Sequence, residues 1–347
     1  MHRRPHIVLA AITTSACALT LAVPVAQADK PAPGNDTARA WVFLPNPVQT
    51  TGDQTLTDQK DSASAVPRGA YYPVTLTRLD GSGYLAGDWA NIRGTTGDRA
   101  YETDGTYFYR RDDKRFEQVM GYFWITEAQR YLQHLGFGSE LRPVNDESQD
   151  LRINQYGIDN SYSWDKHDVI RLGKGGVDDA EDGEVIVHEY GHAVHDAQGF
   201  ETSTVESGAI GEAFGDYLAV TVGDWVMAKH GVPSRAPLGC VADWDAVSYT
   251  RTEPHCLRRI DTDRHYPEDV VGQVHADGMI WSRALFDIRE GLGAYDADRV
   301  IINAQFSFPA GASFPDAAEV TVATAEEMYG GVEAAVVRQA FEDRGIL

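Results

Sequence analysis

The stretch Val185-Ile186-Val187-His188-Glu189-Tyr190-Gly191-His192 constrains this chain more than any other. Two histidines four residues apart lie one above the other on an α-helix, so both imidazoles can meet one metal ion. Glu189 between them is turned aside, where it can reach a metal-bound water without being a ligand. The bland alternative is a histidine pair on a polar helix face. The helix is predicted to start in the acidic run Asp178-Asp179-Ala180-Glu181-Asp182, where Asp178 with Glu181, or Asp179 with Asp182, makes a capping pattern. Acids there also complement the helix dipole, and Gly199 is a natural stop.

A catalytic zinc takes three protein ligands and keeps one position open, so a third donor must lie downstream. Metzincins would place it at the sixth residue after the second motif histidine, with a turn glycine three residues after that histidine. Here those positions are Gln198 and His195. His195 is read as structural or as a surface residue. Instead, Gly211-Glu212-Ala213-Phe214-Gly215-Asp216 opens another predicted helix. Glu212 and Asp216 share a face there, which suits a ligand and an acid that orients a ligating histidine.

These residues resemble a family. The interval from His192 to Glu212 is similar to that of thermolysin-like gluzincins, and the wording Glu206-Ser207-Gly208 … Gly211-Glu212-Ala213-Phe214-Gly215-Asp216 looks like the fungalysin branch and its bacterial relatives. The resemblance implies that His188, His192 and Glu212 hold zinc, that Glu189 is the general base and that Asp216 supports His188. Asp159-Asn160-Ser161-Tyr162, in which Asn160 lies 28 residues before His188, resembles the family's substrate-edge segment. Asn160 and Ser161 would then bind the peptide main chain, a turn-forming Asn being the alternative. Val274-His275-Ala276-Asp277-Gly278 resembles the segment supplying the transition-state histidine, here His275. Cys256-Leu257-Arg258 resembles the stretch whose arginine holds a substrate carbonyl, with Arg259 as the competing neighbour. No Tyr stands between His192 and Glu212 where thermolysin places an oxyanion-stabilising one, and no long inhibitory propeptide follows the leader.

The fold the resemblance implies is α+β, with a β-rich N-terminal lobe, a central zinc helix and a mainly helical C-terminal lobe. The sequence divides accordingly into 1–28, a turn-rich 29–115, a region 116–198 ending in the zinc helix, and a helical 199–347. Phe116, Val119, Met120, Phe123, Ala128, Tyr131, Leu132 and Leu135 predict an amphipathic helix ended by Gly136 and Gly138. Strand-like pieces follow at Leu151 to Tyr156 and Asp168 to Leu172. Later helices are predicted from Gly211, Met279, Asp298, Asp316 and Val332.

Residues 1–28 read as a secretory leader: Arg3 and Arg4, an apolar run from Ile7 to Val23, and the cleavage pattern Ala26-Gln27-Ala28. Without it two cysteines remain, Cys240 and Cys256, which favour a disulfide in an oxidising compartment. The chain carries 30 basic and 52 acidic residues, a net charge of −22, which argues against nucleic acid or an anionic membrane as partner. A secreted monomer acting on a peptide or protein is expected. The run Asp178, Asp179, Glu181, Asp182 and Glu184 is either a solvated helix start or a site for Ca²⁺. The rivals to a zinc endopeptidase are a zinc amidase acting on a cell-wall type amide and an inactive binding protein on the same scaffold.

Overall fold

The computed structural model describes residues 36–347 apart from Thr96 and Tyr156. The expected leader and Cys17 lie outside the described residues. Strand β1 (Ala38–Val42) buries Ala38, Ala40 and Val42 and turns Arg39 outward, the period-two pattern of a strand with one covered face. Helix α1 (Pro47–Thr51) follows. Strand β2 (Tyr72–Leu76) pairs antiparallel with β1. Strand β3 (Ala90–Thr95) belongs to a second sheet, and β4 (Thr106–Tyr107) lies parallel to β1 on its other side.

Helix α2 (Arg115–His134) buries every residue of its predicted apolar face. It also buries Glu117, Gln118, Thr126, Glu127 and Gln129, so it is enclosed on all sides and not amphipathic. Gly121 permits this: a Cβ there would stand 3.1 Å from Ile153 and 3.3 Å from Leu151. The helix therefore lies close against strand β5 (Gln149–Ile153). Strands β6 (Tyr162–Trp164) and β7 (Val169–Arg171) complete the second sheet in the order β3-β5-β7-β6. β3, β5 and β7 are parallel, and β6 is an antiparallel edge strand.

Helix α3 (Gly183–Ala197) carries the histidine pair. Its cap is Asp182, which accepts from the Glu184 backbone N at 3.0 Å, so neither predicted capping pair forms. Asp179–Glu181 is instead a separate 3-10 turn. Helix α4 (Val205–His230) begins six residues before the predicted Gly211, because Thr204 and Ser207 cap each other reciprocally. A short antiparallel ribbon follows, β8 (Cys240–Val241) with β9 (Arg258–Arg259). Helices α5 (Val274–Leu292), α6 (Ala294–Gln305), α7 (Phe314–Tyr329) and α8 (Gly331–Asp343) close the chain. The result is the expected α+β arrangement, with the two larger sheets in the N-terminal part and a mostly helical C-terminal part. Among the described residues no helix is long and apolar enough to cross a membrane.

Candidate active site

α3 and α4 cross where each carries a glycine. A Cβ on Gly191 would stand 2.8 Å from the Cα of Gly215, and one on Gly215 would stand 2.7 Å from Nδ1 of His188. With no side chain at either position the helices approach closely enough for residues of α4 to meet the rings of α3. Glu212 lies with Oε2 3.4 Å from His188 Nε2 and Oε1 3.7 Å from His192 Nε2. The two ring nitrogens are themselves 3.3 Å apart. One atom from each of the three residues falls within 4.8 Å of the others.

This donor set fits a metal ion. A separation of roughly 3.3 Å is the edge of a tetrahedron whose centre lies about 2.0–2.1 Å from nitrogen corners. Two imidazole nitrogens and a carboxylate are also the chemistry zinc takes. Oε2 of Glu212 is buried without an aligned hydrogen-bond donor. The charges point the same way. Burial opposes a charge on His188, but Asp216 and Glu212 outweigh it and push the ring up to about 10. Glu212 is held down to about 2, since His188 overcomes its burial. The carboxylates thus favour positive charge at this position.

Behind His188, Asp216 Oδ1 stands 2.9 Å from Nδ1, an ion-pair contact and not an in-line hydrogen bond. The other face of Asp216 takes a fork from Arg258, Nε to Oδ2 at 2.6 Å and Nη2 to Oδ1 at 2.7 Å. Burial would raise the Asp216 carboxyl, but Arg258 and His188 hold it well below the usual carboxylate range. Arg258 is set by β9, and Cys256 just before it is bonded to Cys240 of β8. The expected disulfide thus ties down the strand that carries the arginine. Arg259 points elsewhere, onto Asp261 at 2.7 Å.

A cavity of about 330 Å³ opens over these groups and is lined by His188, Glu189, His192, Glu212, Arg258 and His275, and by Asn160 and Ser161. Glu189 is buried, its Oε2 has no hydrogen-bond partner, and burial pushes its carboxyl up to about 7. His275 is exposed, with Nε2 3.2 Å from Glu212 Oε2. Its Nδ1 is 2.7 Å from Nε2 of Gln273. An amide nitrogen can only donate, so Nδ1 accepts and Nε2 of the neutral ring bears the proton, facing the site. Gln273 is itself fixed by the Ala276 N–H, and Asp277 accepts from Val271 N and Gly272 N at 2.8 and 2.9 Å. Asn160 is exposed at the rim beside edge strand β6, and the Ser161 hydroxyl donates to Asp179.

Residues 203–346 match the family model described as the thermolysin metallopeptidase alpha-helical domain. This part of the chain is similar to the helical domain of thermolysin-like metallopeptidases. Among solved structures, one similar chain is the precursor of protealysin, a metalloproteinase from Serratia proteamaculans. The likeness covers 74% of this chain and 86% of that one at a TM-score of 0.55, and at 17% identity it is a likeness of fold. No curated protein matches.

In this chain the acidic run at the start of α3 is neither a solvated start nor one ion site. All five acids are buried. Glu181 is paired with Arg111 at 2.7 Å, and Arg111 also holds Asp58 at 2.8 Å. Asp182 accepts from Asn46 at 3.2 Å as well as capping α3, and Glu184 accepts from Gln49 at 2.6 Å and from Ala242 N at 2.6 Å. Asn46 and Gln49 belong to the α1 turn, which thus supplies partners for two acids of the run. Asp179 alone of the five joins a carboxylate group compact enough for one cation, with Asp159 and Asp245. His195 is structural and buried, its ring stacked on Phe214 with centroids 4.5 Å apart. The sequence reading missed the role of Gly191 and Gly215, although each stands inside its motif where a helix would ordinarily avoid glycine.

Proposed function

We propose that this chain is an exported zinc endopeptidase. The observation that carries the reading is the convergence of His188, His192 and Glu212 beside a buried Glu189 whose Oε2 has no partner. Zinc, held by those three residues, would lower the pKa of a bound water and polarise the scissile carbonyl. Glu189 accepts the proton of the attacking water and passes it to the leaving amine. His275 donates from Nε2 to the oxygen on which negative charge develops. Arg258 spends two of its five N–H donors on Asp216 and keeps others for a substrate carbonyl. The exposed edge of β6, with Asn160 and Ser161, receives the peptide main chain as an added strand. Export rests on the leader pattern and on the Cys240–Cys256 disulfide, a bond that persists in oxidising compartments.

The test combines metal analysis with digestion of unfolded casein by the wild type and Glu189→Gln. Both should hold one zinc, and the variant should lose on the order of 10³ in turnover. Near wild-type digestion by the variant would remove Glu189 from the mechanism. A zinc-loaded wild type that leaves casein intact would favour an amidase acting on a non-protein amide.

A further inference from the structure

Three carboxylates that the reaction above does not use gather at one end of the cavity, two of them in its lining. Asp159 precedes edge strand β6, Asp179 lies in the 3-10 turn before α3, and Asp245 lies in the turn after β8. Each offers an oxygen within 4.8 Å of the other two. Asp179 and Asp245 are only 3% and 4% exposed, yet both line the cavity. In all three, Oδ1 is buried without a hydrogen-bond partner. Among the described residues no Lys, Arg or His is ion-paired with any of them. Burial pushes the Asp179 carboxyl up to about 8, so this end of the cavity carries its acids at a cost. A positive charge arriving there would relieve it.

The same cavity has apolar wall in Val185, Val241, Ala242 and Leu257, and it is continuous with Glu189 and the histidine pair. A long basic side chain matches both features. Its methylenes pack on apolar surface while its head reaches the acids. A bare Ca²⁺ matches less well, because it takes about six to eight oxygens and this corner combines three carboxylates with aliphatic wall. We propose that this end of the cavity recognises a lysine or arginine side chain flanking the scissile bond, with Asp179 and Asp245 receiving its charge and Asp159 adding its field from behind them. The inference rests on the peptidase reading and adds a substrate class to it.

The experiment is a peptide series in which the residue on either side of one cleavable bond is, in turn, lysine, arginine, norleucine or glutamate. Wild-type kcat/KM should favour lysine or arginine over norleucine by at least ~10²-fold on one side of the bond, since a site built to pair buried polar groups rejects analogues that leave them unpaired. In Asp245→Asn the ratio of lysine to norleucine should collapse toward one. Cleavage of all peptides within a factor of about two would overturn the pocket while leaving the peptidase reading intact. Failure of the zinc-loaded wild type to cut any peptide would overturn both. Calorimetric titration with CaCl₂ supplies a further arm. Tight Ca²⁺ binding that is lost in Asp245→Asn, with no basic preference in the wild type, would replace the pocket by an ion site. The wild-type preference is read without any variant, so a poorly folding substitution does not obscure the outcome.

Discussion

Gly215 on α4 faces the ring of His188 on α3 so closely that a Cβ would stand 2.7 Å from Nδ1. The ring cannot give way without leaving Asp216 and the shared metal position, so the glycine is a condition of the site and not of the helix. Gly215→Ala should raise intrinsic helix propensity by up to about 1 kcal/mol and still lower metal affinity, because the crossing must open. Dialysis against a weak chelator followed by metal analysis checks it. A variant that keeps its zinc and its activity would show that the crossing has slack.

His275 and Glu212 touch each other at 3.2 Å but are expected to fail differently. Glu212→Ala removes one of three protein ligands and should deplete zinc under mild dialysis. His275→Ala should keep zinc near one per chain and lower kcat and kcat/KM together by ~10²–10³. Gln273→Leu, which removes the donor to Nδ1, should move activity in the same direction by less, again with zinc retained. Zinc loss in the His275 variant with retention in the Glu212 variant would exchange the two roles.

The disulfide closes a loop of 16 residues and ends two positions before Arg258. Replacing both cysteines by serine should cost about 3 kcal/mol in denaturant unfolding. It should also weaken kcat/KM through a looser Arg258–Asp216 fork. Unchanged stability in the double variant would mean that the ribbon is held by its packing alone.

Asp179 predicts a pH dependence of stability. Its folded carboxyl sits at about 8 through burial, only partly opposed by the Ser161 hydroxyl, against an ordinary value of 3.8. A raised acid binds its proton more tightly when folded, so its contribution is complete below about pH 4 and is lost as pH rises toward 8. Denaturation midpoints should fall between pH 5 and 8.5, by on the order of 1 kcal/mol per pH unit at most, and Asp179→Asn should flatten the trend. Equal slopes in both proteins would assign the titration elsewhere.

His188 with His192, and Glu212 with Asp216, were legible in the sequence because helical periodicity alone decides that residues four apart share a face. The α+β order of elements was legible for the same reason, since strand and helix patterns are local. The disulfide followed from the count of cysteines left after the leader pattern. Nothing local reports how deeply a charged run is buried. The acids from Asp178 to Glu184 read as a solvated helix start, and only the tertiary structure supplies Asn46, Gln49 and Arg111 as their partners. The same holds for Arg258, whose fork onto Asp216 spans 42 residues of chain. It holds too for Asp159, Asp179 and Asp245, drawn from three segments into one cluster. Periodicity fixes which side chains leave a helix together; which distant groups they meet is decided by how the helices and loops pack, and that energy is carried by contacts no spacing records.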